Sequence, residues 1–267
     1  MAPEGLAEAL LDLVALAERL RRECPWDRAQ TARTIVPHTV EEAYEVADAA
    51  LAGDDAKLVD ELGDLLFQTV FLALLLEERG SGDLTAVSRA VSDKLVRRHP
   101  HVFSAPEELA SPDEVKRRWE DLKTEQEARE GIFHDVPDTL PAPLLARKLQ
   151  RRAASAGFDF SGAVEALTEV DNELAELRAE LTDVAAEVEP DRRVEAEIGD
   201  LLFACVNVAR LANVDPELAL RVASKRFATR VTTATALASD DGSDWKALPL
   251  SEQDRYFDLA KAEESAT

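Results

Sequence analysis

One helical pattern occurs twice in this chain, and this repeat limits the possible folds more than any other feature. The segment VDELGDLLFQTVFLALL at 59–75 matches EAEIGDLLFACVNVARL at 195–211, and other matching pairs are offset by 131 to 138 residues. The apolar positions follow helical spacing, and no convincing alternating strand pattern is found. The sequence therefore predicts an all-α protein made of two tandem helical repeats with helix-bundle packing.

A proline-rich stretch divides the two copies. GIFHDVPDTLPAP at 131–143 contains three prolines after a glycine, which is typical of a linker. We therefore expect a first repeat at 1–130 and a second at 144–267. Helices are predicted near 6–22, 39–52, 55–79, 83–98, 112–130, 144–156, 163–187, 191–212, 215–238 and 251–264.

The overall charge restricts the partners of the chain. Its 267 residues include 54 acidic and 31 basic side chains, which gives a formal net charge of −23. Such an acidic field argues against a general nucleic-acid or anionic membrane surface. The N-terminus shows no signal-peptide pattern, and the most apolar stretch, 65–76, is too short to span a bilayer. We expect a cytoplasmic protein.

Acidic residues lie three apart on two neighbouring predicted helices, next to leucines that we expect in the core, such as Leu62 and Leu66. Residues three apart share one helix face, so four carboxylates would repel one another unless they faced water or a cation. Mg²⁺ prefers such oxygen ligands and often binds together with substrate phosphates. The first set is Glu42, Glu45, Glu61 and Asp64, and the second is Glu173, Glu176, Glu197 and Asp200.

Two other interpretations of these carboxylates compete with a magnesium site. Most acidic residues on helices are simply solvated, but the duplication of polar positions favours a duplicated site. A di-iron centre would require Glu-x-x-His pairs, and none of the four histidines follows a glutamate by three residues.

Basic and aromatic residues recur at similar offsets. Phosphate oxygens are bound well by Lys and Arg, although surface ion pairs are the ordinary alternative. Aromatic rings could stack on a base, but a core role is at least as plausible for Trp26 and Phe158. The basic pairs are Lys57 with Arg193, Lys94 with Arg226, and Arg98 with Arg230, and WEDLK at 119–123 recurs as FDLAK at 257–261.

At family level, EEAYE (41–45) followed by ELGD (61–64) resembles the EExxE…ExxD signature of MazG nucleoside triphosphate pyrophosphohydrolases. CPWDRAQT (24–31) and DKLVRRHPHVF (93–103) are similar to further stretches typical of that family. The carboxylate signature alone is shared with all-α dUTPases and related pyrophosphatases. The resemblance covers nearly the whole chain in its tandem two-repeat form.

The resemblance implies an all-α homodimer that depends on Mg²⁺, for which Mn²⁺ can substitute, and that hydrolyses nucleoside triphosphates to the monophosphate and pyrophosphate. Water would attack the α-phosphorus, and house-cleaning of damaged nucleotides is one expected role. The eight carboxylates named above would hold metal, and Glu41 or Glu45 in the first repeat and Glu176 in the second are candidate general bases. The substrate would be contacted by Lys57, Lys94, Arg98, Trp119, Lys123, Arg193, Arg226, Arg230, Phe257 and Lys261.

The second copy departs from the family pattern. Asn172 replaces the first Glu of EExxE, Arg226 stands in the place of Lys94, and Phe257 in that of Trp119. The first repeat is therefore more complete, although in two-repeat members activity can reside mainly in the second. A catalytically weak nucleotide-sensing regulator on the same fold is the alternative function, and an acidic interaction scaffold ranks last.

Overall fold

The computed structural model describes residues 4–103, 131–133, 136–181 and 191–266, and it divides the chain into two compact units, Met1–Glu127 and Ala128–Thr267. The described residues form helices, turns and loops but no strand, so the predicted all-α class is confirmed. The finer division predicted from the sequence, with a linker at 131–143, stays a prediction. In the described part of the chain, no helix combines the length and the apolar character needed to cross a membrane.

The first unit is organised around two long helices. The described helices are α1 (Leu6–Glu23), α2 (Pro25–Ala29), α3 (Ala32–Ala52), α4 (Asp55–Glu77), α5 (Leu84–Arg98) and α6 (Pro100–Phe103). The long helices α3 and α4 pack along each other, α1 contacts both α2 and α4, and α5 contacts α4. Ile35, Phe71 and Leu75 form the buried core between α3 and α4.

A tight reversal joins α3 to α4 and sets their antiparallel pairing. Gly53 ends α3 with a φ of 68°, a left-handed conformation that favours glycine. Asp54 then caps α4, since its side chain accepts a hydrogen bond from the Lys57 backbone N–H at 3.0 Å. Because only these residues separate the helices, the acidic end of α3 faces the acidic start of α4.

The second unit repeats this helix pair. Its described helices are α7 (Ala142–Ser155), α8 (Ala163–Leu181), α9 (Arg192–Leu211), α10 (Pro216–Asp240) and α11 (Leu250–Ala266), with a short 3-10 turn at Trp245–Ala247. Helix α8 packs along α9, α7 contacts α9 and α10, and α10 packs against α11. A separate small core joins α10 to α11 through Ala234, Ala238, Tyr256 and Ala260.

Helix α3 begins seven residues earlier than the sequence analysis predicts, at Ala32 instead of residue 39. A capping box at Thr31 and Thr34 starts the helix, and Pro37 is accommodated inside it. The short helices α2 and α6 were not predicted. The predicted helix 112–130 lies outside the described residues, as do residues 182–187 of the predicted helix 163–187.

Two leucines expected in the core are exposed instead. Leu62 is 49% exposed and Leu66 is 41% exposed, although both lie among the apolar residues of α4. Farther along α4, Val70, Phe71 and Leu75 are buried, and Phe71 and Leu75 belong to the core that α4 shares with α3. The second unit leaves the matching positions Ile198 and Leu202 exposed as well.

Candidate metal and nucleotide site

Three glutamates of the first unit converge where α3 and α4 pair. Each of Glu42, Glu45 and Glu61 offers a carboxylate oxygen, and these oxygens lie within 4.8 Å of one another. Glu42 and Glu45 share one face of α3, whereas Glu61 reaches them from α4. Glu61 is only 6% exposed, which is unusual for an acidic residue. We call these residues the Glu42 trio.

Burial and neighbouring negative charges act on the pKa of Glu42 in this trio. Burial raises the pKa of Glu42 above its ordinary value, and nearby negative charges, first Asp64 and then Glu45, raise it further. Asp64 thus belongs to the same electrostatic cluster although it is exposed. Lys57 offsets part of the charge, since its Nζ lies 3.5 Å from Glu61 Oε1.

The second unit contains a matching Glu173 trio. Glu173 and Glu176 on α8 and Glu197 on α9 bring carboxylate oxygens within 4.8 Å of one another. Burial raises the pKa of Glu197, and the charges of Glu176 and Asp200 add to this effect. The pKa of Glu173 is raised in the same way, first by burial and then by Asp200. All four predicted carboxylates of each repeat therefore act on one another.

The second trio differs from the first in its burial and its basic neighbour. Glu197 is half-buried, whereas its counterpart Glu61 is buried. Arg193, the counterpart of Lys57, contacts Glu180 at 3.2 Å and Asp191 at 3.4 Å. Arg193 therefore pairs with two carboxylates outside the Glu173 trio, whereas Lys57 pairs with Glu61 of the Glu42 trio.

The donor set fits a hard divalent cation. Each trio offers only carboxylate oxygens, which suit Mg²⁺, and water could complete an octahedron. Two oxygens that each lie about 2.1 Å from Mg²⁺ are at most about 4.2 Å apart. Since the carboxylate oxygens already lie within 4.8 Å of one another, small side-chain rotations would bring them onto one ion.

Glu41, one of the candidate general bases, lies beside the trio and not within it. Its side chain is exposed, and its Oε2 is 3.8 Å from His38 Nδ1. His38 stands four residues before Glu42 and so lies one turn away on the same face of α3. His38 was not predicted as a site residue, although its i,i+4 spacing to Glu42 is a signal that could have identified it.

The predicted phosphate-binding residues are spread over other helices. Lys94 and Arg98 lie on α5, which has no buried residue. Arg226 and Arg230 lie on α10, where Arg230 Nε is 2.6 Å from Glu264 Oε2. The carboxylates of each trio come together on α3 and α4 or on α8 and α9, whereas these basic residues lie on the adjacent helices α5 and α10.

The predicted aromatic residues have different outcomes. Phe257 lies between Phe227, with ring centroids 5.8 Å apart, and Lys261, whose Nζ is 5.1 Å from the Phe257 ring centroid. The contact between Phe227 and Phe257 joins α10 to α11, whereas Lys261 and Phe257 both lie on α11. Trp119 and Lys123 lie outside the described residues. Trp26, for which a core role was an open alternative, is 54% exposed.

Comparisons with known proteins identify the family. Residues 30–103 match the MazG nucleotide pyrophosphohydrolase domain. The chain is 39% identical to a nucleoside triphosphate pyrophosphohydrolase of Escherichia coli (strain K12) over 262 residues, which cover 94% of this chain and 97% of that protein. It is 36% identical over 254 residues to a Thermotoga maritima protein described as "Nucleoside triphosphate pyrophosphohydrolase/pyrophosphatase MazG", with 94% of each chain covered. The matched domain spans the Glu42 trio, and the chain belongs to the MazG family of nucleotide pyrophosphohydrolases.

Proposed function

We propose that this protein is a Mg²⁺-dependent hydrolase that cleaves nucleoside triphosphates between the α- and β-phosphates and releases the monophosphate and pyrophosphate. The names of its full-length relatives support the activity. Removal of non-canonical or damaged nucleotides is the physiological role that we propose for it.

The observation that carries the proposal is the convergence of three glutamates from two helices. In a metal-free bundle, the Glu42 trio is an electrostatic cost, because burial and neighbouring charges already raise the pKa of Glu42. A divalent cation with a triphosphate would turn this repulsion into binding. The same arrangement occurs in the second unit.

The side chains divide the work of the reaction. Bound Mg²⁺ would supply Lewis-acid chemistry, polarising a phosphoryl oxygen and making water more acidic. Glu42, Glu61 and Asp64 would hold the cation, while Glu45 or Glu41 would accept the proton of the attacking water. Lys57 is close enough to Glu61 to bind a phosphate oxygen at the edge of the site.

We further propose that the active protein is a homodimer. Leu62 and Leu66 form an exposed apolar face on α4, and Ile198 and Leu202 form another at the equivalent place on α9. An apolar face that recurs on duplicated helices is better explained by a partner than by chance exposure. The MazG resemblance supports the same assembly.

Pyrophosphate release from a panel of ribo- and deoxyribonucleoside triphosphates, with and without Mg²⁺, tests the activity. We expect release only with the metal, and Mn²⁺ should restore activity after chelation. In ¹⁸O-water, the label should enter the monophosphate, because water attacks the α-phosphorus. Label in the pyrophosphate would contradict the mechanism, and nucleotide binding without any pyrophosphate release would favour a sensor over an enzyme.

A further inference from the structure

We propose that Trp26 and His38 form a stacking platform for the nucleobase of a triphosphate held at the Glu42 trio. This inference rests on the proposed function, and it concerns how the first unit selects its substrate. Trp26 lies on α2 and His38 on α3. Two observations support this platform: the contact between the two rings and the position of His38 one helical turn from Glu42.

The short helix α2 holds Trp26 in a fixed place. Gln30 Nε2 donates a hydrogen bond to the Trp26 backbone carbonyl at 3.0 Å. Arg21 from α1 donates to the backbone carbonyls of Asp27 and Gln30. Asp27 is itself buried. The backbone is therefore anchored on both sides of the indole, while the indole remains 54% exposed.

The indole meets His38 edge to face. The two ring centroids are 5.9 Å apart, and the ring planes make an angle of 65°. The His38 side chain is still 45% exposed, so the pair forms an open corner and not a closed core contact. Such a corner leaves one aromatic face free for a planar ligand.

The corner lies one helical turn from the metal ligands. His38 precedes Glu42 by four residues on α3, which corresponds to a rise of about 6 Å along the helix. A triphosphate held by the trio would carry its ribose and base away from the carboxylates. The Trp26–His38 corner is thus an aromatic surface one helical turn from the trio, and every nucleobase has a π face that can stack there.

The second unit lacks this corner. Glu169 stands four residues before Glu173, at the place that His38 occupies relative to Glu42. Asn172 Nδ2 donates to Glu169 Oε2 at 2.9 Å, so a second polar pair fills this part of α8. Phe158, which corresponds to Trp26, is 84% exposed. An additional carboxylate would repel a nucleotide that a histidine could accommodate.

Titration calorimetry on the full chain tests the platform. The background carries Glu176→Gln and Glu197→Gln, so that the second trio no longer competes for metal. Two probes are compared with saturating Mg²⁺: α,β-methylene ATP, which resists hydrolysis at this bond, and inorganic triphosphate, which has no base. Trp26→Leu keeps an apolar side chain without a π face, and Trp26→Phe keeps the π face.

We expect Trp26→Leu to weaken binding of the nucleotide analogue about tenfold or more, in the range found for loss of one base–aromatic stack. Binding of inorganic triphosphate should stay within about twofold of the background. Trp26→Phe should recover most of the lost affinity, and His38→Ala should give a smaller loss for the nucleotide alone. Phe158→Ala, at the corresponding place in the second unit, should change neither affinity.

Other outcomes would overturn the platform. Equal losses for both probes would make Trp26 a structural residue, and no loss for either would remove it from the site. If the background chain binds inorganic triphosphate more tightly than the nucleotide analogue, base stacking is also excluded. Pyrophosphate release by the unmodified chain is measured separately. If that activity is present while the platform test fails, only this inference is wrong, whereas absence of activity would contradict the proposed function.

Discussion

Lys57 Nζ lies 3.5 Å from Glu61 Oε1, one turn along α4, and is a basic neighbour of the Glu42 trio, of which Glu61 is the buried member. The lysine side chain is half exposed, so this pair is too solvated to add much stability by itself. Its positive charge nevertheless offsets repulsion among the three glutamates, which burial strengthens. The relationship makes Lys57 a partial substitute for a cation in the metal-free protein and a phosphate ligand when substrate is bound.

Replacing Lys57 by Gln should destabilise the metal-free protein and weaken substrate binding. We expect a loss of about 0.5–1 kcal/mol in EDTA, because the trio then loses the positive charge of Lys57. The loss should shrink when Mg²⁺ is added, since the ion replaces the missing charge. Chemical denaturation with and without Mg²⁺ measures this, with Lys246→Gln in the 3-10 turn as the control. A loss that is the same with and without metal would contradict the interpretation.

Replacing Glu61 by Gln tests the trio directly. The change keeps the size of the side chain but removes a hard anionic ligand and one repelling charge. Turnover should fall at least about 100-fold, since loss of a residue that merely supports a metal ligand already costs about 10- to 100-fold. The melting temperature in EDTA should stay the same or rise. A purely structural glutamate would show the reverse: lower stability without metal and nearly unchanged turnover.

The same substitution at Glu197 separates the two units. Motif completeness and the stronger burial of Glu61 lead us to expect the larger effect in the first unit. If both single variants retain full turnover, the Glu61→Gln, Glu197→Gln double variant decides between redundant sites and an incorrect assignment. An active double variant would remove these carboxylates from the mechanism.

Local patterns predicted most of the helices and the acidic trios. The i,i+3 spacing of Glu42 and Glu45 places both on one face regardless of tertiary packing. Glu61 was selected because the same polar positions recur in the second copy, and a short reversal at Gly53 then brings α4 alongside α3. Periodicity and repetition are local properties, so they could be recognised without the structure.

Contacts between helices could not be predicted in the same way. Leu62 has the same apolar character as Val70, yet only the structure shows that α4 buries one and exposes the other. Trp26 likewise could have been a core residue, because its exposure depends on how α2 packs. The predicted start of α3 at residue 39 was wrong, because the capping box at Thr31 and Thr34 begins the helix at Ala32, with Pro37 inside it.

Acidification should stabilise the metal-free protein before it denatures it. Burial and the surrounding carboxylates raise the pKa of Glu42 above its reference value of 4.5. The folded state therefore binds a proton that the unfolded state does not, in the interval between the reference and the raised value. Stability in EDTA should increase as pH falls from 7 through the raised pKa of Glu42 and should level off near the unfolded value.

The Glu42→Gln, Glu173→Gln variant is the control for this pH dependence. It removes one raised carboxyl from each trio, so its stability in EDTA should change less between pH 7 and pH 5 than that of the unmodified chain. Affinity for Mg²⁺ in the unmodified chain should fall over the same interval, because a protonated carboxyl is a poor ligand. Equal pH slopes in both chains would exclude Glu42 and Glu173 as the source.

The exposed leucines should control assembly. Leu66→Asp places a charge on the exposed apolar face of α4, and Leu202→Asp places one on that of α9. These are the two faces that we assign to the homodimer. We expect light scattering at micromolar concentration to report a dimer for the unmodified chain and a shift toward a single chain for the variants. Leu11→Asp, at an exposed position of α1, is the control and should remain dimeric. A single-chain mass for the unmodified protein would contradict the proposed assembly.

Arg21 should stabilise the first unit more than any exposed ion pair does. Its guanidinium donates to both carboxylate oxygens of Glu78, at 2.7 and 2.8 Å, and to two backbone carbonyls next to α2. The Arg21 side chain is largely buried, whereas Glu78 is half exposed. The hydrogen bonds from Arg21 lower the pKa of Glu78, so this contribution is present near neutral pH and is lost when acid protonates Glu78 below its reference value of 4.5.

We expect Arg21→Met to cost about 2 kcal/mol at pH 7, because two carbonyls and a carboxylate lose their donor. Arg19→Met removes the Arg19–Glu23 pair, which is 3.0 Å long and exposed on both sides, and should cost less than about 0.5 kcal/mol. Urea denaturation monitored by circular dichroism compares the two. Since Arg21 also anchors the backbone around Trp26, Arg21→Met should weaken nucleotide binding in the calorimetric assay more than binding of inorganic triphosphate. Similar losses of stability in both variants would mean that Arg21 is an ordinary surface ion pair and does not fix the position of α2.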